Sequence, residues 1–567
     1  MTRRTRRLLV AVGAGVVLLA AAATCWVLVR AWQAAQELQA AAPLVQQIAG
    51  AGDLDADTAS LETAQQHLDR AAELTDTPLW RVVELVPGLG PNLAAIRTVS
   101  QSAADTVDAI MPPAQALLAT GASPDLAAWR AQQEPLAHAA EVFAQARDDI
   151  RAIDTGELIP PLADGVRTLA GVADEATPVI DALATAAVVV PGLAGVDGPR
   201  DILVVLQNPA ELRTGGGITG TFAEIRVEDG AFTLVRQADS TQFPTASEDV
   251  APVSDADTAL YGDVVGRFVQ NTTMTADFAA SAQLALSWWE RQFGDAPDAV
   301  IAVDPIVLQA LLSATGPIAL ADGSELTADD VVQRLLVDPY LYLDGDGQSA
   351  LQREVIAAVL PALAARIDTV TWAAALSQPI SEGRISVWSS REQEEQAISG
   401  TAVAGPLARL DAAGDAGFGV FLDDATGGKM DMYLDVSVRA RHVCDGTTVV
   451  TVTLTHTGEV QAVADLPAAV TGGGIWGTAV GDIGTTVVVM APAGSGFGAV
   501  TGNGGRMPSV QAIAQGHPAT AVRVNISPGQ TESVEVRFTA TDAQTPVIVS
   551  TPTVAGVDVA VEPAACG

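Results

Sequence analysis

Residues 201–222 read DILVVLQNPAELRTGGGITGTF. The β-branched apolar run Asp201–Gln207 predicts a short strand buried on both faces. A polar turn carrying Arg213 follows, and Gly215-Gly216-Gly217 leads into a second strand. Phe222–Val227 and Ala231–Arg236 alternate about Asp229-Gly230, which predicts a hairpin. Helical stretches at 277–293, 331–336 and 350–367 are interleaved with a further buried run, Ala299–Val303. Strand–helix alternation of this kind predicts a sheet covered by helices, a central α/β domain over residues 199–425.

On either side the texture changes. Residues 31–198 carry apolar side chains at three- and four-residue spacing, interrupted at Pro87-Gly88, Pro112-Pro113, Pro160-Pro161 and Pro191-Gly192. This predicts a helical stalk or bundle broken at the prolines. Residues 430–567 hold short runs punctuated by Gly, Pro and Asp, at 432–439, 447–455, 484–490, 521–526, 533–539 and 546–550. That spacing predicts an all-β antiparallel sandwich of the immunoglobulin-like kind. The expected fold is therefore multi-domain.

Leu8–Val29 is an uncharged run of 22 residues, long enough to cross a bilayer as a helix. Arg3, Arg4, Arg6 and Arg7 precede it, which predicts a cytoplasmic tail at 1–7, a transmembrane helix at 8–29 and an extracytoplasmic remainder at the cell membrane. Ala21-Ala22-Ala23 offers the alternative of a cleaved signal peptide, but the run continues through Trp26–Val29 and favours an uncleaved anchor. Beyond Arg30 the chain has 25 bases against 67 acids, a net charge of −42. A surface of that sign repels a phosphate backbone, so no nucleic-acid partner is expected. Lys429 is the sole lysine. Cys444 and Cys566 lie at the start of the β-rich region and the end of the chain, and an exported location permits a disulfide between them; two separate thiols are the other reading.

Candidate chemistry gathers around the central strands. Gly215 and Gly216 let backbone N–H groups approach an anion that Arg213 can pair with, although a tight turn needing glycine is the commoner use. The segment lacks the lysine of a phosphate-binding loop. Asp239, at a strand end, is a candidate metal ligand or turn cap, and Asn271 opens an Asn-Thr-Thr cluster of N-cap type. Asp344-Gly345-Asp346-Gly347 reads as a turn, since the glutamate of a calcium loop is missing downstream. Arg353 begins a helix and can reach an anion or solvent. No histidine occurs between His138 and His442, which argues against Ser-His-Asp, Cys-His or zinc chemistry in the central domain.

The combination of an N-terminal anchor, LVPGLGPN at 85–92, Arg213-Thr214-Gly215-Gly216, Asp239-Ser240, DAVIAVDP at 298–305, LLSATGP at 311–317 and KMDMY at 429–433 resembles the actinobacterial membrane-anchored proteins of the domain of unknown function 4012 family. That resemblance implies an architecture and a location but no reaction. A more distant similarity is to the LytR–CpsA–Psr enzymes, which transfer polyprenyl-pyrophosphate-linked glycopolymers to the cell wall. It aligns Arg213, Asp239, Asn271, Asp304 and Gln352-Arg353 with their motif positions, but Gly215 and Ala238 stand where acidic and basic residues are wanted. The expected function is an envelope protein that binds a glycopolymer, a lipid-linked precursor or a protein partner. The alternative is a phosphotransferase, with Mg²⁺ as its cofactor.

Overall fold

The computed structural model describes residues 22–41, 58–118, 125–366, 369–443, 446–502, 505–539 and 545–565. The chain divides into two compact units, residues 1–121 with 127–188, and residues 122–126 with 189–567.

The first unit is helical, with α1 (22–41), α2 (Thr58–Thr75), α3 (Pro78–Val83), α4 (Gly90–Leu118), α5 (Leu126–Ala131), α6 (Gln133–Arg151) and the start of α7 (Pro160–Leu193). Leu38 and Ala41 of α1, Leu68 of α2 and Ala104 of α4 share one apolar seam. A second seam joins Val27 and Ala31 of α1 to Trp80, Val83 and Leu93. The expected breaks at Pro112-Pro113 and Pro191-Gly192 do not occur, for α4 and α7 run through them. An interior proline removes one helix bond at a cost of about 3 kcal/mol. Packing of α4 along α6 and α2 supplies the offset, which local propensity does not register. The expected membrane helix spans residues 8–29, of which 8–21 lie outside the described residues; among the described residues no helix is long and apolar enough to cross a membrane.

In the second unit a five-stranded mixed sheet runs β3-β2-β1-β4-β7, from β1 (Arg200–Asn208), β2 (Ile218–Glu228), β3 (Ala231–Asp239), β4 (Ala299–Val303) and β7 (Ser386–Ser389). Strand β1 is central, antiparallel to β2 and parallel to β4. Alternation along β1 sorts its two faces. Leu203 and Val205 meet Phe278, Ala282, Ala285 and Trp289 of α9 (Phe278–Phe293). Val204 and Leu206 face the opposite way, toward α10 (Pro305–Thr315) and α13 (Gly345–Ala364). The helices start where the sequence supplies caps: Asp277 accepts from the Ala279 and Ala280 amides, Asp304 from Ile306 and Val307, and Asp344 from Gly347. The Asp-Gly-Asp-Gly segment expected to turn is thus a helix start. Short elements fill the remainder: α8 (Asp255–Tyr261), the β5–β6 ribbon (Ile318–Ala319, Glu325–Leu326), α11 (Val331–Leu336), α12 (Asp338–Tyr342) and α14 (Thr369–Glu382).

The C-terminal strands form two sheets, among the described residues ordered β13-β12-β16-β10-β9-β18 and β14-β15-β11-β8-β17. They comprise β8 (Gly417–Asp424), β9 (Leu434–Val443), β10 (Thr447–His456), β11 (Ile483–Met490), β12 (Gly496–Gly502), β13 (Gly505–Arg506), β14 (Val510–Ala514), β15 (His517–Ile526), β16 (Thr531–Thr539), β17 (Val547–Ser550) and β18 (Val557–Ala565). Val438, Val452 and Val536 of one sheet and Val420, Val487 and Val524 of the other share one core, so the pair is sandwich-like. Two features differ from expectation. The sandwich opens at Gly417 with β8, inside the segment assigned to the central domain, because all eight β8 residues are buried and show no alternation. β17 and β18 add in parallel to β8 and β9, so the sandwich is not purely antiparallel.

Cys444 and Cys566 lie outside the described residues. Val443 and Ala565, which immediately precede them, are register partners in neighbouring parallel strands. Peptide mapping of oxidised protein without reductant is expected to yield a 444–566 linked peptide; two alkylatable thiols under the same conditions would exclude the bridge.

Candidate functional site

Between the inner sheet and its covering helices lies a cavity of about 230 Å³. Its walls are Val204, Leu206 and Ala223 from the sheet, Val307 and Leu311 from α10, and Val355, Ile356, Val359 and Leu363 from α13. Apolar residues line most of it because sheet and helices each present one greasy face, and the faces do not fully meet. A polar group of Gln207, Asn208, Thr221, Gln352 and Asp304 completes the lining. Thr221 donates to the Gln352 side chain, and Gln237 donates to the Gln352 carbonyl at 3.3 Å, so α13 is hydrogen-bonded to the strands. Asn208 donates to the Tyr340 hydroxyl at 2.7 Å. Apolar walls with a few placed polar groups are the lining composition usual of ligand pockets. A hollow of about 150 Å³ lined by aliphatic side chains is enough to admit benzene, so this one has room for a stretch of hydrocarbon. A larger hollow, about 720 Å³ between α4 and α6, is an open groove with Asp105, Asp108 and Asp149 along it.

The sequence-derived candidates fall into two groups beside this cavity. Arg213, Gly215, Gly216 and Asn271 are together. The Arg213 guanidinium is buried and donates to Asn271 Oδ1 at 2.9 Å, to the Leu212 carbonyl at 2.7 Å and to Glu211 at 3.2 Å. The Thr214 amide donates to Asp423, Gly215 to the Thr273 carbonyl and Gly216 to the Arg213 carbonyl. These three amides are thus engaged inside the fold, and the glycine turn works as a joint. Glycine is required there, since Gly216 has φ +126° and a Cβ on Gly217 would lie 2.4 Å from the Asn208 carbonyl carbon. Asn271 does not cap a helix: it accepts from Arg213 and donates to the Val264 carbonyl at 3.2 Å.

Asp239 belongs to the second group. It caps the turn at 240–242, and burial, which raises its carboxyl, is outweighed by hydrogen bonds from Thr241, Gln242 and Ser349 that hold it below the usual range. Ser349 is one helical turn before Arg353, which is exposed on α13. Asp239 and α13 are therefore neighbours, while Arg213 lies elsewhere with partners of its own. Among the described residues no group of three or more His, Cys, Asp or Glu is arranged to hold a metal ion.

Sequence reasoning missed the cavity and the charged joint beneath the glycine turn. Cavity walls are ordinary Val, Leu and Ile, indistinguishable from core residues until three elements are placed together. The joint gathers Glu211, Asp423, Asp424 and Asp431 with only Arg213 and Lys429, all buried or nearly so. Four carboxylates and two cations cannot all be charged without a large desolvation cost. Burial raises the Glu211 carboxyl, but Lys429 and Arg213 outweigh it and keep the group ionised. Burial pushes Asp423 up to about 7 and Asp424 up to about 6, and carries Asp431 well above its ordinary value. The isolated lysine was the available signal, for Lys429 bonds Glu211 and sits 5.2 Å from the Tyr340 ring centroid.

Two measurements test the joint. Asp423 and Asp424 bind protons more tightly folded than unfolded, so their contribution is full below about pH 4 and is lost as pH rises through about 7. The urea midpoint followed by circular dichroism is expected to fall from pH 5 to pH 8, and Asp423→Asn to flatten that slope; an unchanged slope would refute it. Lys429→Met leaves Glu211 buried and under-compensated. It is expected to lower the opening free energy of β8 amides in hydrogen exchange by about 3–5 kcal/mol.

Residues 197–340, which hold the glycine turn, Asp239 and most of the inner sheet, match the family model described as "Protein of unknown function (DUF4012)". No curated protein matches the chain. Among solved structures, protein gbs0355 of Streptococcus agalactiae is similar at 15% identity, covering 37% of this chain and 76% of its own, with a TM-score of 0.25. Protein Lin1025 of Listeria innocua is similar at 14% identity, covering 36% of this chain and 78% of its own, with a TM-score of 0.22. What the comparisons show is therefore a likeness to a family of unknown function, confined to residues 197–340.

Proposed function

We propose that this is a membrane-anchored, extracytoplasmic envelope protein whose central domain binds the hydrocarbon of a lipid-linked precursor. The single observation that carries the reading is the apolar cavity between sheet and helices with Gln207, Asn208, Thr221 and Gln352 in its lining. Each buried methylene contributes about 0.8 kcal/mol, so six would supply roughly 5 kcal/mol and leave headgroup contacts to set specificity. The uncharged run Leu8–Val29 with arginines on its N-terminal side supports delivery to the outer face of a membrane, where such precursors occur. In this reading the central domain is LytR–CpsA–Psr-like, the C-terminal module is an immunoglobulin-like display domain, and the envelope is actinobacterial.

Phosphotransfer has less support. Arg213, the cation it most needs, donates to Asn271, Leu212 and Glu211 within the fold.

The test uses full-length protein in detergent with radiolabelled polyprenyl pyrophosphate. Ala223 is 1% exposed and lines the cavity, so Ala223→Leu grows into it. Wild type is expected to retain the probe and Ala223→Leu to lose most of it, with circular dichroism unchanged. Equal retention by both, or none by wild type, would sink the reading. Mg²⁺-dependent transfer of a polyprenyl-linked glycan to cell wall, abolished by Asp239→Ala, would replace it with the transferase.

A further inference from the structure

The LVPGLGPN element is a sharp connection between α3 and α4 in the helical unit. Thr77 caps α3 by accepting from the Trp80 amide, and Pro78 starts the helix. The chain turns at Pro87-Gly88, with Gly88 at φ +81°. Gly90 is obligatory, since a Cβ there would sit 1.9 Å from the Glu84 carbonyl oxygen. The apolar side chains of this turn do not point inward. Val82 is 61% exposed, Leu85 80%, and Leu79 and Val86 are exposed beside them. Ile159, 58% exposed, joins the same end, because its amide donates to Asn92 Oδ1 at 2.9 Å.

What lies beside this greasy tip decides its use. Trp80 and Val83, on the buried side of α3, pack against Val27 and Ala31 of α1. Those two residues straddle Val29, where the uncharged run that begins at Leu8 ends. The tip is thus level, to within about one helical turn of some 5 Å, with the point where an anchor helix leaves the hydrocarbon. The same stretch of α1 exposes Trp26, Leu28, Val29 and Trp32, and the Arg30 guanidinium lies 4.4 Å over the Trp26 ring. Tryptophan and arginine at the end of an apolar run are the side chains that settle at a membrane–water boundary.

From this juxtaposition we propose that the α3–α4 turn is a second membrane contact, in which Leu79, Val82, Leu85, Val86 and Ile159 enter the outer-leaflet interface beside the anchor. The proposal rests on the anchored reading of residues 8–29. The occupant is lipid because the patch is carried on a helix that packs on α1 at Val27 and Ala31, the stretch that the anchor would bring to the bilayer surface. Nearby charges are directed otherwise: Arg81 pairs with Asp76, Arg97 with Glu84, and Asp154 caps the turn at 155–157. Exposed Glu157 marks the aqueous edge of the patch. Two contacts in place of one would fix the orientation of the helical unit on the membrane.

The experiment uses full-length protein in liposomes of phosphatidylcholine and phosphatidylglycerol. With Cys444 and Cys566 changed to Ser throughout, an environment-sensitive fluorophore is placed on native Cys25, or on Leu85→Cys or Asp105→Cys in a Cys25→Ser background. Spin-labelled lipid is the quencher. Asp105 is exposed on α4, fifteen residues past its start and about 22 Å along that helix. The Leu85 label is expected to be blue-shifted and to lose most of its emission, as the Cys25 label does, while the Asp105 label stays bright. Quenching at Cys25 but not at Leu85 would overturn the proposal and leave the anchor standing. No quenching at either, with extraction of the protein by carbonate, would remove the anchor and this inference together. Disulfide-linked dimers through Leu85→Cys without quenching would assign the patch to a second copy.

Discussion

Most of the second unit depends on one loop, Asn208–Gly217, and on the buried charges that hold it. Leu212 sits in the core of the β-sandwich, and its amide donates to Asp431 while its carbonyl accepts from the Asp424 amide. Thr214 gives its amide and hydroxyl to Asp423, and its carbonyl accepts from the Thr551 hydroxyl. A loop inserted this deeply carries backbone groups that water cannot reach, so each needs a partner from the sandwich. Carboxylates serve as acceptors at the ends of β8 and before β9. Their surplus of negative charge is then managed by Lys429, Arg213 and proton uptake. A buried ion pair is a poor source of net stability but a strict one, because removing either partner strands the other.

The joint and the cavity share residues. Gln207 donates to the Gly215 carbonyl at 2.9 Å and also lines the cavity. Asn208, next along, reaches Tyr340, against whose ring Lys429 packs. The position of the polar group at the cavity is therefore tied to the protonation and packing of the joint. Other buried pairs act as rivets around the same sheet. Arg200 holds Glu394 through two bonds of 2.8 and 3.1 Å, and Arg384 joins Asp304 at 2.7 Å.

Legibility varied with the range of the interaction. Helices α9 and α13 and strands β1–β4 follow local periodicity, and they lie close to where spacing places them. β8 was hidden because a strand buried along its whole length has no alternation to read. Pro112-Pro113 misled because the neighbouring helices α2 and α6 outweigh the local penalty, and α7 likewise runs through Pro191-Gly192. At the candidate site, the six residues that the motifs single out divide: Arg213, Gly215, Gly216 and Asn271 meet in space, while Asp239 and Arg353 lie along α13. The engagement of the first four with one another and with Asp423 depends on residues about 210 positions away, which no motif reaches.

By itself the sequence determined the alternation of strand and helix in the centre, the β-rich end, the strongly acidic character and the exceptional status of Lys429. Each is a local or compositional property, set by side-chain period or by charge count. Only the tertiary structure decided that the glycine turn is a joint, that ordinary aliphatic residues of α10, α13 and the sheet line a cavity, and that the LVPGLGPN turn exposes its apolar side chains beside the stretch of α1 around residue 29. Those outcomes depend on which surfaces meet and which are left unmet. Burial is a property of pairs of elements far apart in the chain, and it is written in no single segment.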